Sequence, residues 1–219
     1  MLTADRSRLI GCVLLLGCAL PATTRAQARP AADSAAVGAV LAAVRGANPL
    51  LCELAVRTVE QQGGWGGPMS FDLRAPADPA VRAALLAIRQ EHVVPSAVPA
   101  LGAALGDEDA CVRRVAAPLL GRVAHATALA ALRQALRDER PGTREAAAIG
   151  LGYTNNPAVI PALLAGLQDS VARVRVACVV ALGEIDDHRA VGALTRLLRE
   201  DRDDAVRAAA AWAIGEIEG

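Results

Sequence analysis

A step of 31 residues runs through the second half of this chain and constrains its fold more than any other feature. Val112 and Arg113 recur as Thr143 and Arg144, Val174 and Arg175, and Val206 and Arg207, at steps of 31, 31 and 32. Eight residues after the first member of each pair stands Leu120, Leu151, Leu182 or Ile214, followed at once by Gly121, Gly152, Gly183 or Gly215. Upstream, Leu101, Leu132, Leu163 and Leu194 keep the same step, as do Leu105, Leu136, Leu167 and Leu198. An acid follows two residues after each of these last: Asp107, Asp138, Asp169 and Glu200. Chance does not put so many registers in phase.

Each unit reads as two helices. The first is short and apolar at i and i+4, as at Leu132 and Leu136. The second carries Val174, Ala177, Cys178, Ala181, Leu182 and Ile185 on one helical face. Asp or Asn before each helix is expected to cap it, and Pro161 stands where a first-turn proline is tolerated. A lone helix pair cannot bury such a face, so the units must stack on one another. Only four aromatic residues occur, Trp65, Phe71, Tyr153 and Trp212. A core of Ala, Val and Leu at short helix–helix distances can do without them.

The runs Val174 to Ile185 and Val206 to Ile217 resemble the HEAT repeat, in its bacterial HEAT-like form of the phycobilin-lyase type. The shared pattern is an acid, a turn, then Val-Arg-x-x-Ala-Ala-x-Ala-Leu-Gly-x-Ile. The resemblance covers about 97–217 as four repeats. A fifth, degenerate unit stands at Val81 and Arg82, where Gln90 replaces the glycine and Pro76 the acid. It implies an all-α, right-handed α-solenoid of stacked antiparallel helix pairs that works by binding other proteins, and is nearly silent about which. It also implies that Asp107/Arg113, Asp138/Arg144, Asp169/Arg175 and Glu200/Arg207 form a ladder of inter-repeat hydrogen bonds rather than a chemical site.

The start of the chain has a different character. Arg6 and Arg8 precede an apolar run from Leu9 to Leu20, Pro21 breaks it, and Ala26, Gln27 and Ala28 offer a cleavage site. This is the layout of a secretory signal, assigned to 1–28, and the run is too short to span a bilayer. Leu15, Leu16, Gly17 and Cys18 also fit a lipoprotein box, with Cys18 lipidated. Either way the protein is expected outside the cytoplasm, periplasmic or secreted. Residues 29–96 read as an irregular N-terminal helical cap (Asp33 to Arg45, then Pro49 to Gln62) with a Gly-rich loop and the degenerate repeat. Cys52, Cys111 and Cys178 remain beyond the leader. One bridge, such as Cys52 to Cys111, is compatible with export, but nothing in the spacing requires it. Cys178 aligns with Ala116, Ala147 and Ala210, a small core position; Cys111, near a turn, reads as the more exposed thiol.

All 23 basic residues are arginines, balanced by 23 acids to a net charge of zero, which argues against nucleic acid as a partner. His92, His125 and His188 are scattered, and a local Asp186, Asp187 and His188 site reads rather as a solvated turn. The deoxyhypusine type of iron hydroxylase, built on similar repeats, uses several His-Glu pairs; here only a reversed Glu91 and His92 occurs. No bilin-binding cysteine or aromatic pocket is apparent. No catalytic residue, metal or cofactor is assigned. A lyase or other enzyme on the same repeats, and a module self-associating through its C-terminal end, stand as alternatives.

The second helices depart from the usual pattern on the side away from the core. Their outward columns read Arg114, Pro118, Arg122; Glu145, Ile149, Tyr153; Val176, Val180, Glu184; and Ala208, Trp212, Glu216. The middle position is apolar where charge is expected, and a contiguous exposed apolar patch marks an interaction site. A concave protein-binding patch is therefore assigned to Ile149, Tyr153, Val176, Val180 and Trp212, with Arg114, Arg122, Glu145 and Glu184 as its polar rim. The loop around Trp65 and Phe71, between glycines, is a second candidate.

Overall fold

Chains whose apolar residues return every three to four positions bury them by pairing helices, and this one does so repeatedly. The computed structural model describes residues 34–60 and 93–219. In them ten α-helices form: α1 (Ser34–Val44), α2 (Pro49–Glu60), α3 (Val98–Leu105), α4 (Ala110–Gly121), α5 (Ala126–Ala135), α6 (Pro141–Gly152), α7 (Ile160–Gly166), α8 (Ala172–Ile185), α9 (Val191–Glu200) and α10 (Asp204–Glu218). Four full units, α3/α4 to α9/α10, follow the α1/α2 pair. The even-numbered helices stack side by side, α2 on α4, α4 on α6, α6 on α8 and α8 on α10. The result is the helical solenoid that the repeat requires. The leader, the degenerate unit at Val81, His92 and the loop of Trp65 and Phe71 lie outside the described residues.

The registers explain themselves in the packing. Leu101, Leu132, Leu163 and Leu194 are fully buried where first and second helices meet. The other leucine column is less regular: Leu105 and Leu167 are buried, Leu136 is half-buried and Leu198 is exposed. The recurrent glycine lets successive second helices approach. A Cβ at Gly121 would collide with the Gly150 carbonyl, and one at Gly183 would stand 3.0 Å from the Ala213 Cβ. Gly215, on the last described helix, would meet nothing within 4 Å. Asn155 and Asp186, 31 residues apart, both turn the chain through positive φ, at 44° and 54°. These two residue types tolerate that region best after glycine.

The caps depart from the simple expectation. Asp109, Asn156, Asp187 and Asp203 accept backbone N–H groups as expected. His125 caps α5 instead, its ring accepting from the Thr127 N–H. Arg140 and Val171 precede α6 and α8 with no side-chain cap, their turns being held by the arginine ladder.

That ladder has a regular rung. The Arg144 Nη1 donates to the Asp138 and Glu139 carbonyls of its own unit, both at 2.9 Å. Its Nε and Nη2 reach the next unit's Asp169 carboxylate at 2.6 and 3.0 Å. Arg175 repeats this, holding the Asp169 carbonyl at 2.9 Å and the Asp201 carboxylate at 2.8 and 2.7 Å. The acid of the fourth unit is thus Asp201, not the Glu200 that the leucine register indicates. The one-residue insertion in the last step moves the carboxylate along the turn. Arg45 forms the first rung, on Asp107. The Arg113 rung is missing: Arg140 takes Asp138 at 3.0 Å, while Arg113 holds only the Asp107 and Glu108 carbonyls.

Cys111 is buried, not exposed, and is joined to Cys52 in a disulfide with Cα atoms 5.6 Å apart. This ties α2 to α4. Cys178 is a fully buried free thiol, pushed up to about 12 by its apolar surroundings. It is an inert packing residue.

Candidate functional site

Because Cβ atoms on a helix face recur every three to four residues, the side of each second helix away from its partner first helix forms its own column. On α6 and α8 those columns meet. A groove of about 900 Å³ opens there, floored by Ile149, Val176 and Val180 with Gly152, Ala177 and Ala181. The three larger side chains are half-buried. At one end stand Arg122, Tyr153, Glu184 and Glu60; at the other, Glu145 with Arg173, then Asp203 and Ala205 at the start of α10.

Seven of the nine residues assigned to the patch therefore come together: Ile149, Tyr153, Val176, Val180, Arg122, Glu145 and Glu184. Two do not. Arg114 points to α2, where its Nη2 pairs with Glu53 at 3.0 Å. Trp212, 40% exposed, lies on the last helix against Gly183, where a Cβ would be 3.0 Å from its ring, and is not part of the groove lining. Pro118, expected in the exposed column, is buried, and α4 continues through it.

Arg122 builds the closed end. Its guanidinium donates from Nη1 to the Val59 carbonyl and from Nη2 to the Glu60 carbonyl at 3.1 Å, closing off the C-terminal end of α2. Its carbon centre lies 4.8 Å from the centroid of the Tyr153 ring, within cation–π range. Burial pulls the Arg122 pKa below its ordinary value, and the carbonyls and ring take over from lost water. Burial first, then the carboxylates of Glu60 and Glu184, push the Tyr153 hydroxyl up to about 12, against Arg122. Desolvation raises Glu60 as well. At the other end the Arg173 Nε meets Glu145 at 3.0 Å.

The contribution of α2 to this groove was not legible in sequence, because Glu60 belongs to no repeat register. Its one signal was Arg122, a charged residue closing a second helix where Tyr153 and Glu184 stand in the next units. The two described histidines, His125 and His188, take no part. His125 serves as a helix cap, and Asp187 beside His188 is spent on Arg189 at 2.7 and 2.9 Å, which holds its carboxyl at about 2. Among the described residues no three His, Cys, Asp or Glu side chains converge as metal ligands, and no helix is long and apolar enough to cross a membrane.

Stacked antiparallel helix pairs with one groove along their second helices define a helical repeat protein. A family model for HEAT repeats matches residues 72–151 and 130–215, well over half the chain, and the chain belongs to the HEAT-repeat family. No curated protein matches it. Among solved structures it is similar to human deoxyhypusine hydroxylase in complex with glycerol, at 21% identity and a TM-score of 0.48, over 84% of this chain and 72% of that one.

Proposed function

We propose that this chain is an exported HEAT-repeat protein that binds another protein along the groove, as an interaction or scaffold module of the bacterial cell envelope without catalysis of its own. The observation that carries the reading is the floor of Ile149, Val176 and Val180. These aliphatic side chains stand half-exposed between units, although the same helices bury their opposite faces completely. Covering them releases ordered water at roughly 25 cal/mol per Å² of apolar surface. Export is supported by the leader pattern of 1–28 and by the Cys52–Cys111 disulfide, since such bonds persist in oxidising compartments. Lipid attachment at Cys18 would anchor the same module to a membrane surface.

The test is affinity capture from envelope extract with the parent, Val180→Glu and Trp212→Glu, each checked for unchanged helical circular dichroism. A partner held by the parent and by Trp212→Glu but lost by Val180→Glu is the expected result. Equal retention by Val180→Glu refutes the groove assignment. A second reading, self-association through the last unit, draws on the exposure of Trp212 and Leu198. Under it Trp212→Glu, not Val180→Glu, abolishes a concentration-dependent rise in mass.

A further inference from the structure

The groove runs from Arg122, after α4, to Ala205 in α10, three helix-to-helix steps. At roughly 8–10 Å per step that is about 25–30 Å of length. An extended segment of about eight residues, at roughly 3.3 Å each, matches that length.

The charges of the lining say what such a segment carries. Arg173 is neutralised by Glu145. Arg122 sets its terminal nitrogens on the Val59 and Glu60 carbonyls but keeps its charge, so that its end of the groove, with Glu60 and Glu184, carries one negative charge in excess. The Asp203 carboxylate is occupied by the Ala205 and Val206 N–H groups at 2.9 and 3.4 Å. That leaves Glu60 and Glu184, whose carboxylates have no ion-pair or hydrogen-bond partner among the described residues. One comes from α2 and the other from α8, with α4 and α6 between them in the stack, and both act on the Tyr153 hydroxyl. Two free carboxylates beside an apolar floor favour an incoming cation and repel an incoming acid.

We propose, resting on the protein-binding reading above, that the groove takes an extended segment of a partner protein in which aliphatic side chains alternate with arginine or lysine. The aliphatic side chains cover Ile149, Val176 and Val180, and separate basic side chains pair with Glu60 and with Glu184. Because strand side chains alternate in direction, one face of the segment lies on the floor while the other reaches the rim.

Fluorescence anisotropy with two labelled octapeptides, one alternating Arg and Val and the other alternating Glu and Val, tests this on the protein with its disulfide intact. The Arg–Val peptide is expected to bind at least tenfold more tightly than the Glu–Val peptide. The double variant Glu60→Gln, Glu184→Gln is expected to lose about tenfold in affinity for it, with helical circular dichroism unchanged. Replacing Glu108, an acid away from the groove, by Gln is expected to change nothing. Equal affinity for both peptides, no binding of either, or Arg–Val binding indifferent to the double variant overturns the proposal. None of those results touches the groove itself, which stands or falls on Val180→Glu in the capture experiment.

Discussion

Alanine in place of Arg175 strands a carboxylate inside the solenoid. The side chains of Arg175 and Asp201 are 6% and 7% exposed, and two nitrogens of the guanidinium meet both carboxylate oxygens. Removing one partner of a buried pair costs about 3–5 kcal/mol, because the other stays charged and desolvated. Asp201 keeps the Asp203 N–H at 2.9 Å, and water can enter the space left, so the lower end, about 3 kcal/mol, applies here. With a urea dependence of roughly 1–3 kcal/mol per molar, the unfolding midpoint falls by about 1–3 M. The rung at Arg144 is more open, at 16% and 12%, and Arg144→Ala should cost less. At Arg45, 58% exposed, alanine should leave the midpoint nearly unchanged. The double variant Arg175→Met, Asp201→Leu should recover much of the loss, since it leaves no orphaned charge. Urea unfolding followed by circular dichroism measures all four. Equal shifts at the three rungs, or no shift at Arg175, would refute the claim that burial sets the strength of the ladder.

The same rungs set the acid limit. Hydrogen bonds from Arg144 and Arg175 hold the Asp169 and Asp201 carboxyls below their ordinary value. The unfolded chain therefore binds more protons than the folded one around pH 4, and stability rises with pH there. It is fully present above the unfolded carboxylate value of about 4 and is lost as pH falls through the folded ones. Arg175→Ala should flatten that slope. Two further outcomes follow from the packing. Gly121→Ala drives a methyl into the Gly150 carbonyl and should destabilise by about 1–3 kcal/mol, whereas Gly215→Ala, in open space on an exposed helix, should stabilise by about 0.5–1 kcal/mol. Denaturation midpoints of the pair decide it, and equal signs would show that the recurrent glycine is not there for helix approach. The Cys52–Cys111 bond closes 59 residues and should contribute about 4 kcal/mol in the chain-entropy picture, so reduction, or Cys52→Ser with Cys111→Ser, should lower the midpoint markedly. A midpoint indifferent to reductant would show that α2 docks on α4 without it.

The 31-residue period made most of the solenoid legible in the sequence alone. Leu101, Leu132, Leu163 and Leu194 announced the core because each unit meets its neighbour through the same positions, so one register describes every interface. The apolar floor was legible for the same reason, as Ile149 and Val180 fall at the same place on successive helices, with Val176 one turn before Val180. What escaped was whatever broke the period. One inserted residue moved the fourth ladder acid from Glu200 to Asp201. Arg140 displaced Arg113 at Asp138, a local competition that spacing does not rank. Arg114 and Trp212 share the column's register but not its groove, since one turns to Glu53 and the other rests on Gly183. Above all, α2 joins the array across about sixty residues, through Cys52 to Cys111 and Arg122 to the Val59 carbonyl. Periodicity predicts contacts between positions one step apart, because identical neighbours pack identically. A contact that spans an aperiodic stretch is decided only when the tertiary structure brings its two ends together.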